Sequence, residues 1–215
     1  NDKSDTWVAL DRDVNQRVFL TVFHGPLGAD VVEQTRTRIE RTRGLIHQHI
    51  LRIYEFGQTG ETCFLSQQYV KDARPLNLTD ASFRQVWPTL QTLMNTMVFA
   101  HELGFAHGQL HLSNLLIDPT GELYIRDFGL PAGLIVTPDA RSLQSPDHGK
   151  SGSADPADDI YALGCLVYRS LTGNGWPTAG QVFESSVPVP DEVRAATDSM
   201  LRPSAYDRAR DLNHI

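Results

Sequence analysis

Apolar and polar positions alternate with a period of two at the start of the chain. Thr6-Trp7-Val8-Ala9-Leu10 and Arg17-Val18-Phe19-Leu20-Thr21-Val22-Phe23 are rich in β-branched and aromatic residues, and the polar run 11–16 between them predicts a hairpin. Residues 29–46 change to a polar, arginine-rich helical pattern ending near Gly44, and two more strands are expected around 50–57 and 62–69. After Asp72-Ala73-Arg74-Pro75 the period lengthens. Residues 80–103 predict a long helix with Ser82 or Asp80 as its cap, Val86, Leu90, Leu93, Met97 and Phe99 or Ala100 as its apolar stripe, and Gly104 as its stop. Short strands are expected at 114–117 and 122–125, a loop at 147–157, and an apolar helix from about Asp159 to Leu171. The architecture this predicts is α+β and bilobal: a small β-rich lobe with one helix (1–70), a linker (71–75) and a larger, mainly helical lobe (76–215).

Composition narrows the function classes. A net charge of -7 argues against a general nucleic-acid-binding surface. No apolar run approaches the roughly 18–20 residues that span a bilayer, and no signal peptide opens the chain. A cytoplasmic location with no membrane contact by this domain is expected, inside a longer chain whose own anchoring stays open. Cys63 and Cys165 sit in apolar runs and read as buried free thiols. The eight histidines suggest no metal centre, because no carboxylate or cysteine completes a ligand set around His47 and His49 or around His107 and His111. With only three lysines (Lys3, Lys71 and Lys150), any chemistry that needs an ammonium has few candidates.

The chemistry concentrates in residues 107–129. His107, Leu110 and Asn114, followed by Asp127-Phe128-Gly129, stand at the spacing of the catalytic loop (HRDLKxxN) and metal-binding loop (DFG) of protein kinases, which the segment resembles. Other matches keep the family's order. Ser145-Pro146-Asp147 stands where the family has Ala-Pro-Glu. Asp159-Ile160-Tyr161-Ala162-Leu163-Gly164 is similar to the start of its central helix. Arg208 stands at its late arginine, implied to pair with Asp147. Leu45-Ile46-His47 resembles the link after the small-lobe helix. The bacterial serine/threonine type is the nearest pattern, and the resemblance implies the bilobal kinase fold over essentially the whole chain.

Set against that pattern, the parts that handle Mg-ATP are replaced. The glycine-rich loop falls at residues 1–6, which hold no glycine; a start downstream of the loop would leave the same pattern. Thr21 stands for the strand lysine and Arg38 for its helix glutamate. Phe19 replaces the small residue over the adenine; it either occludes that place, completing an apolar column with Leu116, or turns into the small-lobe core. Gln109 replaces the catalytic aspartate, and an amide is neither base nor charge. Gly108 replaces the arginine that receives an activating phosphate. His111 replaces the loop lysine, with an imidazole that could charge near pH 6. Asn114 and Asp127 remain as a possible remnant of the cofactor and metal site, or as braces of their own loops. His107, Phe128, Gly129, Asp147, Asp159 and Arg208 are expected to be structural.

The reading that follows is a catalytically inactive pseudokinase domain, with no catalytic residue, no metal and no cofactor. It would act in signalling as a protein-binding scaffold or regulator of a protein partner or attached domain. The helix at 29–46 and the loop 130–157 are its expected contact surfaces. The alternatives are a nucleotide-binding switch without turnover, holding Mg-ATP weakly through Asn114 and Asp127, and a divergent ATP-using transferase.

Overall fold

The first two runs of alternating residues form an antiparallel hairpin, β1 (Ser4–Asp11) and β2 (Gln16–Phe23), in register from Ser4 opposite Phe23 to Asp11 opposite Gln16. Its turn is closed by the Asp11 carboxylate, which accepts the Asp13 and Val14 amides, and by Asn15 in the left-handed region. The computed structural model describes residues 4–79, 82–131, 134–135, 140–148, 155–173, 175–181 and 189–208. Asn1, Asp2, Lys3 and the expected cap Asp80 lie outside the described residues, as does the stretch 149–154 of the expected loop.

Strands β3 (Ile53–Thr59) and β4 (Thr62–Gln68) complete a four-stranded sheet of order β1-β2-β4-β3. β3 starts later than the apolar pattern suggests, because residues 49–51 serve a different sheet. The Ile125 amide donates to the His49 carbonyl (2.7 Å) and the Leu51 amide to the Ile125 carbonyl (2.8 Å). Helix α1 (Ala29–Thr42) packs Val32, Thr35 and Ile39 on the sheet and ends two residues before Gly44, with the Arg43 amide still reaching the Ile39 carbonyl at 3.1 Å.

The larger part starts with β5 (Arg74–Pro75). This puts Arg74 and Pro75, assigned to the linker from sequence, into a second sheet with β6 (Leu115–Ile117) and β7 (Leu123–Ile125). Helix α2 (Phe83–Glu102) begins where Gln85 Oε1 accepts the Ser82 amide (3.0 Å) and hydroxyl (2.7 Å). It ends at Gly104, whose φ of 80° lets the Gly104 amide reach the His101 carbonyl and the Phe105 amide reach that of Ala100, both at 2.9 Å. Val86, Leu90, Leu93, Met97 and Ala100 are buried, while Phe99 lies at the margin against the His47 ring.

Helix α3 (Pro156–Thr172) starts three residues before the expected Asp159. The Asp155 carboxylate accepts the Ala157 amide (2.9 Å) and Pro156 takes the first helical position, so a polar start precedes the apolar run. α3 is buried nearly all round and crosses α4 (Asp191–Met200) at Gly164. Both cysteines are buried, and burial pushes the Cys165 thiol up to about 12. Among the described residues no helix is long and apolar enough to cross a membrane.

The two cores are not divided where the sequence divides. The small one gathers Phe23, Val32, Ile39, Cys63 and Leu65 with Leu130 and Leu134, which come from beyond Asp127-Phe128-Gly129. Leu130, Pro131, Leu134, Leu143 and Ser145 are buried, so the loop 130–157 is not a free contact surface over these residues.

Candidate functional site

The catalytic-loop segment is suspended from Asp159, a fully buried carboxylate in the first turn of α3. Its Oδ2 accepts the His107 amide (2.8 Å) and contacts His101 Nε2 (3.0 Å), and its Oδ1 accepts the Gly108 amide (2.8 Å). The Gln109 amide donates to His107 Nδ1 (3.2 Å), which leaves His107 Nε2 to donate to the Arg126 carbonyl (3.0 Å). The His107 ring meets the Phe128 ring edge-on at 5.0 Å. Gly108 has φ of 78°, a conformation glycine takes without strain.

Gln109 is a donor here. Its Nε2 donates to the Leu130 carbonyl (3.2 Å) and the Pro131 carbonyl (2.5 Å), fastening the loop to the segment that follows Gly129. Asn114 braces the same loop, with Nδ2 donating to the Gln109 carbonyl (2.7 Å) and Oδ1 accepting the His111 amide (3.0 Å). His111 is buried. Desolvation, with repulsion from His107 and Arg126 outweighing the pull of Asp127, pushes its pKa down to about 4. The shift runs away from a ring that charges near pH 6, toward a neutral imidazole in place of the loop lysine.

The inner face of the sheet carries Phe19, Thr21 and Gln67, with Thr6 opposite Thr21 and Gln67 opposite Phe19. The Thr21 hydroxyl is fully buried and hydrogen-bonds the Thr6 hydroxyl at 2.9 Å. Phe19 packs edge-on against Tyr69 at 5.1 Å, and Leu116 is buried. Arg38 lines a cavity of about 210 Å³ with Arg41, Phe105 and Gly129.

Two residues that motif reading passed over stand in the cleft. Arg126 lies at 5.8 Å over the Phe19 ring, donates from Nε to Asp127 Oδ2 (3.0 Å), and places Nη2 at 3.4 Å from both the Thr6 and Thr21 hydroxyls. Gln67 is fully buried, and neither its Nε2 nor its Oε1 has a protein partner. Their signals were a lone cation at the end of an apolar strand and a polar residue on the inward phase of β4.

Asp127 has φ of 63° and is 6% exposed; its Oδ2 is held by Arg126 and its Oδ1 has no partner. A magnesium ion needs near-octahedral oxygen donors. Asn114 Oδ1 already accepts the His111 amide, and a guanidinium already compensates Asp127. Among the described residues no three His, Cys, Asp or Glu converge. One oxygen of each remaining donor, Asn114 Oδ1 and Asp127 Oδ2, is thus engaged within the chain.

Farther out, Asp147 accepts the Ala205 amide (2.9 Å) and lies 3.9 Å from Arg208 Nη2. The closer partners of Arg208 are the carbonyls of Arg202, Pro203 and Ala157, at 2.7, 2.7 and 3.0 Å, and the Tyr161 ring. Asp158, beside the loop brace Asp159, receives the Ser145 hydroxyl and faces His148 Nδ1 at 3.3 Å.

The family profile described as protein kinase domain matches residues 28–187. The chain belongs to the protein kinase family. This kinase domain is 27% identical to the serine/threonine-protein kinase PknA of Mycobacterium tuberculosis, over 81% of the chain and 44% of that protein. It is 27% identical to PknL of the same organism, over 80% of the chain and 46% of the relative. It is 23% identical to PrkC of Bacillus subtilis, over 77% of the chain and 27% of the relative. The chain therefore spans less than half the length of these curated relatives.

Proposed function

We propose that this kinase domain is a pseudokinase, a protein-binding scaffold or regulatory module rather than a phosphoryl-transfer enzyme. Its small lobe and its large lobe, the latter beginning with the strand Arg74–Pro75, work as one binding body. The observation that carries the reading is Gln109. At the place of the catalytic base stands a neutral amide whose hydrogens are committed to the Leu130 and Pro131 carbonyls, so nothing there can take a proton from a substrate hydroxyl. The neutral His111 and the uncharged Thr21 support it, since phosphoryl transfer rests on positioned charge. No cofactor belongs to this reading, and the partner is a protein or an attached domain. The docking face is the outer side of α1, where Arg36 and Arg41 are exposed and Arg38 half-buried.

The test is a thermal-shift titration with ATP and ADP, with and without Mg²⁺ or Mn²⁺, beside an assay for transferred phosphate. A ligand that binds the native state raises the melting temperature. The expected outcome is no shift at millimolar nucleotide and no transfer; a metal-dependent shift with transfer overturns it. A second reading, a nucleotide switch without turnover, has one observation in its favour: Asp127 Oδ1 and the Gln67 amide are buried without partners. A shift without transfer selects it.

A further inference from the structure

The geometry assigns Arg126 as the resident cation of the cleft, replacing from the opposite lobe both the strand lysine and the metal that would neutralise Asp127. This deepens the non-catalytic reading and rests on it. A buried carboxylate needs a compensating charge. In this chain Thr21 supplies none, and Arg126 reaches in from the residue that follows β7. Its side chain is 12% exposed, and that of Asp127 is 8% exposed.

Each part of the guanidinium has a use. Nε holds Asp127 Oδ2, Nη2 approaches the Thr6 and Thr21 hydroxyls, and the cation lies over the Phe19 ring. An ammonium offers one point of charge, whereas the planar fork serves a carboxylate, two hydroxyls and a ring at once. The contacts join residues 105 and 120 positions apart and cross from the large part of the fold to the small sheet. Arg126 thus fastens the two lobes at Thr21, the place of the phosphate-holding lysine, and stacks over Phe19, which stands at the adenine's place. The cleft is held closed by the chain itself, and the domain needs no nucleotide to keep one shape for a partner.

A double-mutant cycle of Arg126→Met and Asp127→Asn, followed by urea unfolding of the whole chain without nucleotide, tests the pair. Each single variant strands one buried charge and is expected to lower the folding equilibrium constant by about several hundredfold. The double variant is expected to lose no more than the weaker single, the signature of a coupled pair. Mn²⁺ supplies a second readout that does not depend on the size of the stability loss. It should leave the melting temperature of the wild type unchanged and raise that of Arg126→Met, where Asp127 is released. Additive losses, or a wild type that Mn²⁺ stabilises through Asp127, would overturn the assignment. Phosphate transfer by the wild type would instead sink the non-catalytic reading while leaving the cycle to be judged alone.

Discussion

An aspartate at position 109 would aim a carboxylate at the two carbonyl oxygens that now receive the Gln109 amide. Restoring the family's base by Gln109→Asp is therefore expected to lower stability by about 1–3 kcal/mol, because two acceptors lose their donor and gain a repulsive neighbour. It should produce no transferred phosphate; urea unfolding and a labelled-phosphate assay check the two halves. His111 gives a pH signature. Its folded pKa of about 4 lies below the ordinary histidine value of 6.5, so the unfolded chain takes up the proton first. The neutral ring's contribution is complete above pH 6.5 and is lost progressively as the pH falls toward 4, by up to about 3 kcal/mol. His111→Gln cannot protonate and is expected to flatten the dependence of the urea midpoint on pH across that window; an unchanged slope would place the proton uptake elsewhere. Positions such as Gln109 and Thr21 were legible because a motif at fixed spacing says what should stand there. Arg126 was not, since its role depends on Thr6 and Thr21, which only the folded chain brings to it.

Elements were legible where one face is buried and ambiguous where local polar groups set a boundary. The stripe of α2 follows the helical period, so Val86, Leu90, Leu93 and Met97 could be named as core in advance. The start of α3 could not, because its first turn is polar and is closed by the Asp155 cap. Within α3, Gly164 reads as a weak point in a helix, yet its missing side chain makes the crossing with α4 possible. A Cβ there would stand 2.7 Å from Met200 Cβ and 3.3 Å from Leu201 Cδ2. Gly164→Ala gains helix propensity of about 1 kcal/mol but forces α4 outward, an overpacking that typically costs about 1–3 kcal/mol. The net expectation is a lower denaturant midpoint, with loss of hydrogen-exchange protection in α4 before α3. A midpoint at or above that of the wild type would show that α4 gives way freely.

At the scale of the molecule, the division into lobes predicts two independent cores, and the packing joins them. Leu130 and Leu134, 1% and 5% exposed, complete the small-lobe core beside Phe23, Ile39 and Leu65, although they follow Asp127-Phe128-Gly129 in the chain. The alternation pattern cannot reveal this, because the segment is short and its partners lie far away in sequence. In an enzyme that regulates itself through this segment, burying it in the small lobe would oppose its movement; in a binding module it lends the two lobes one stability. Leu134→Ala removes a buried side chain at the seam and is expected to cost about 2–4 kcal/mol. The loss should appear in one cooperative transition, with the sheet and α2 unfolding together by circular dichroism and by hydrogen exchange. If instead the sheet of β1 to β4 melts first while α2 and α3 keep their protection, the lobes are separate stability units, and the Arg126 contact is left as a tether between them.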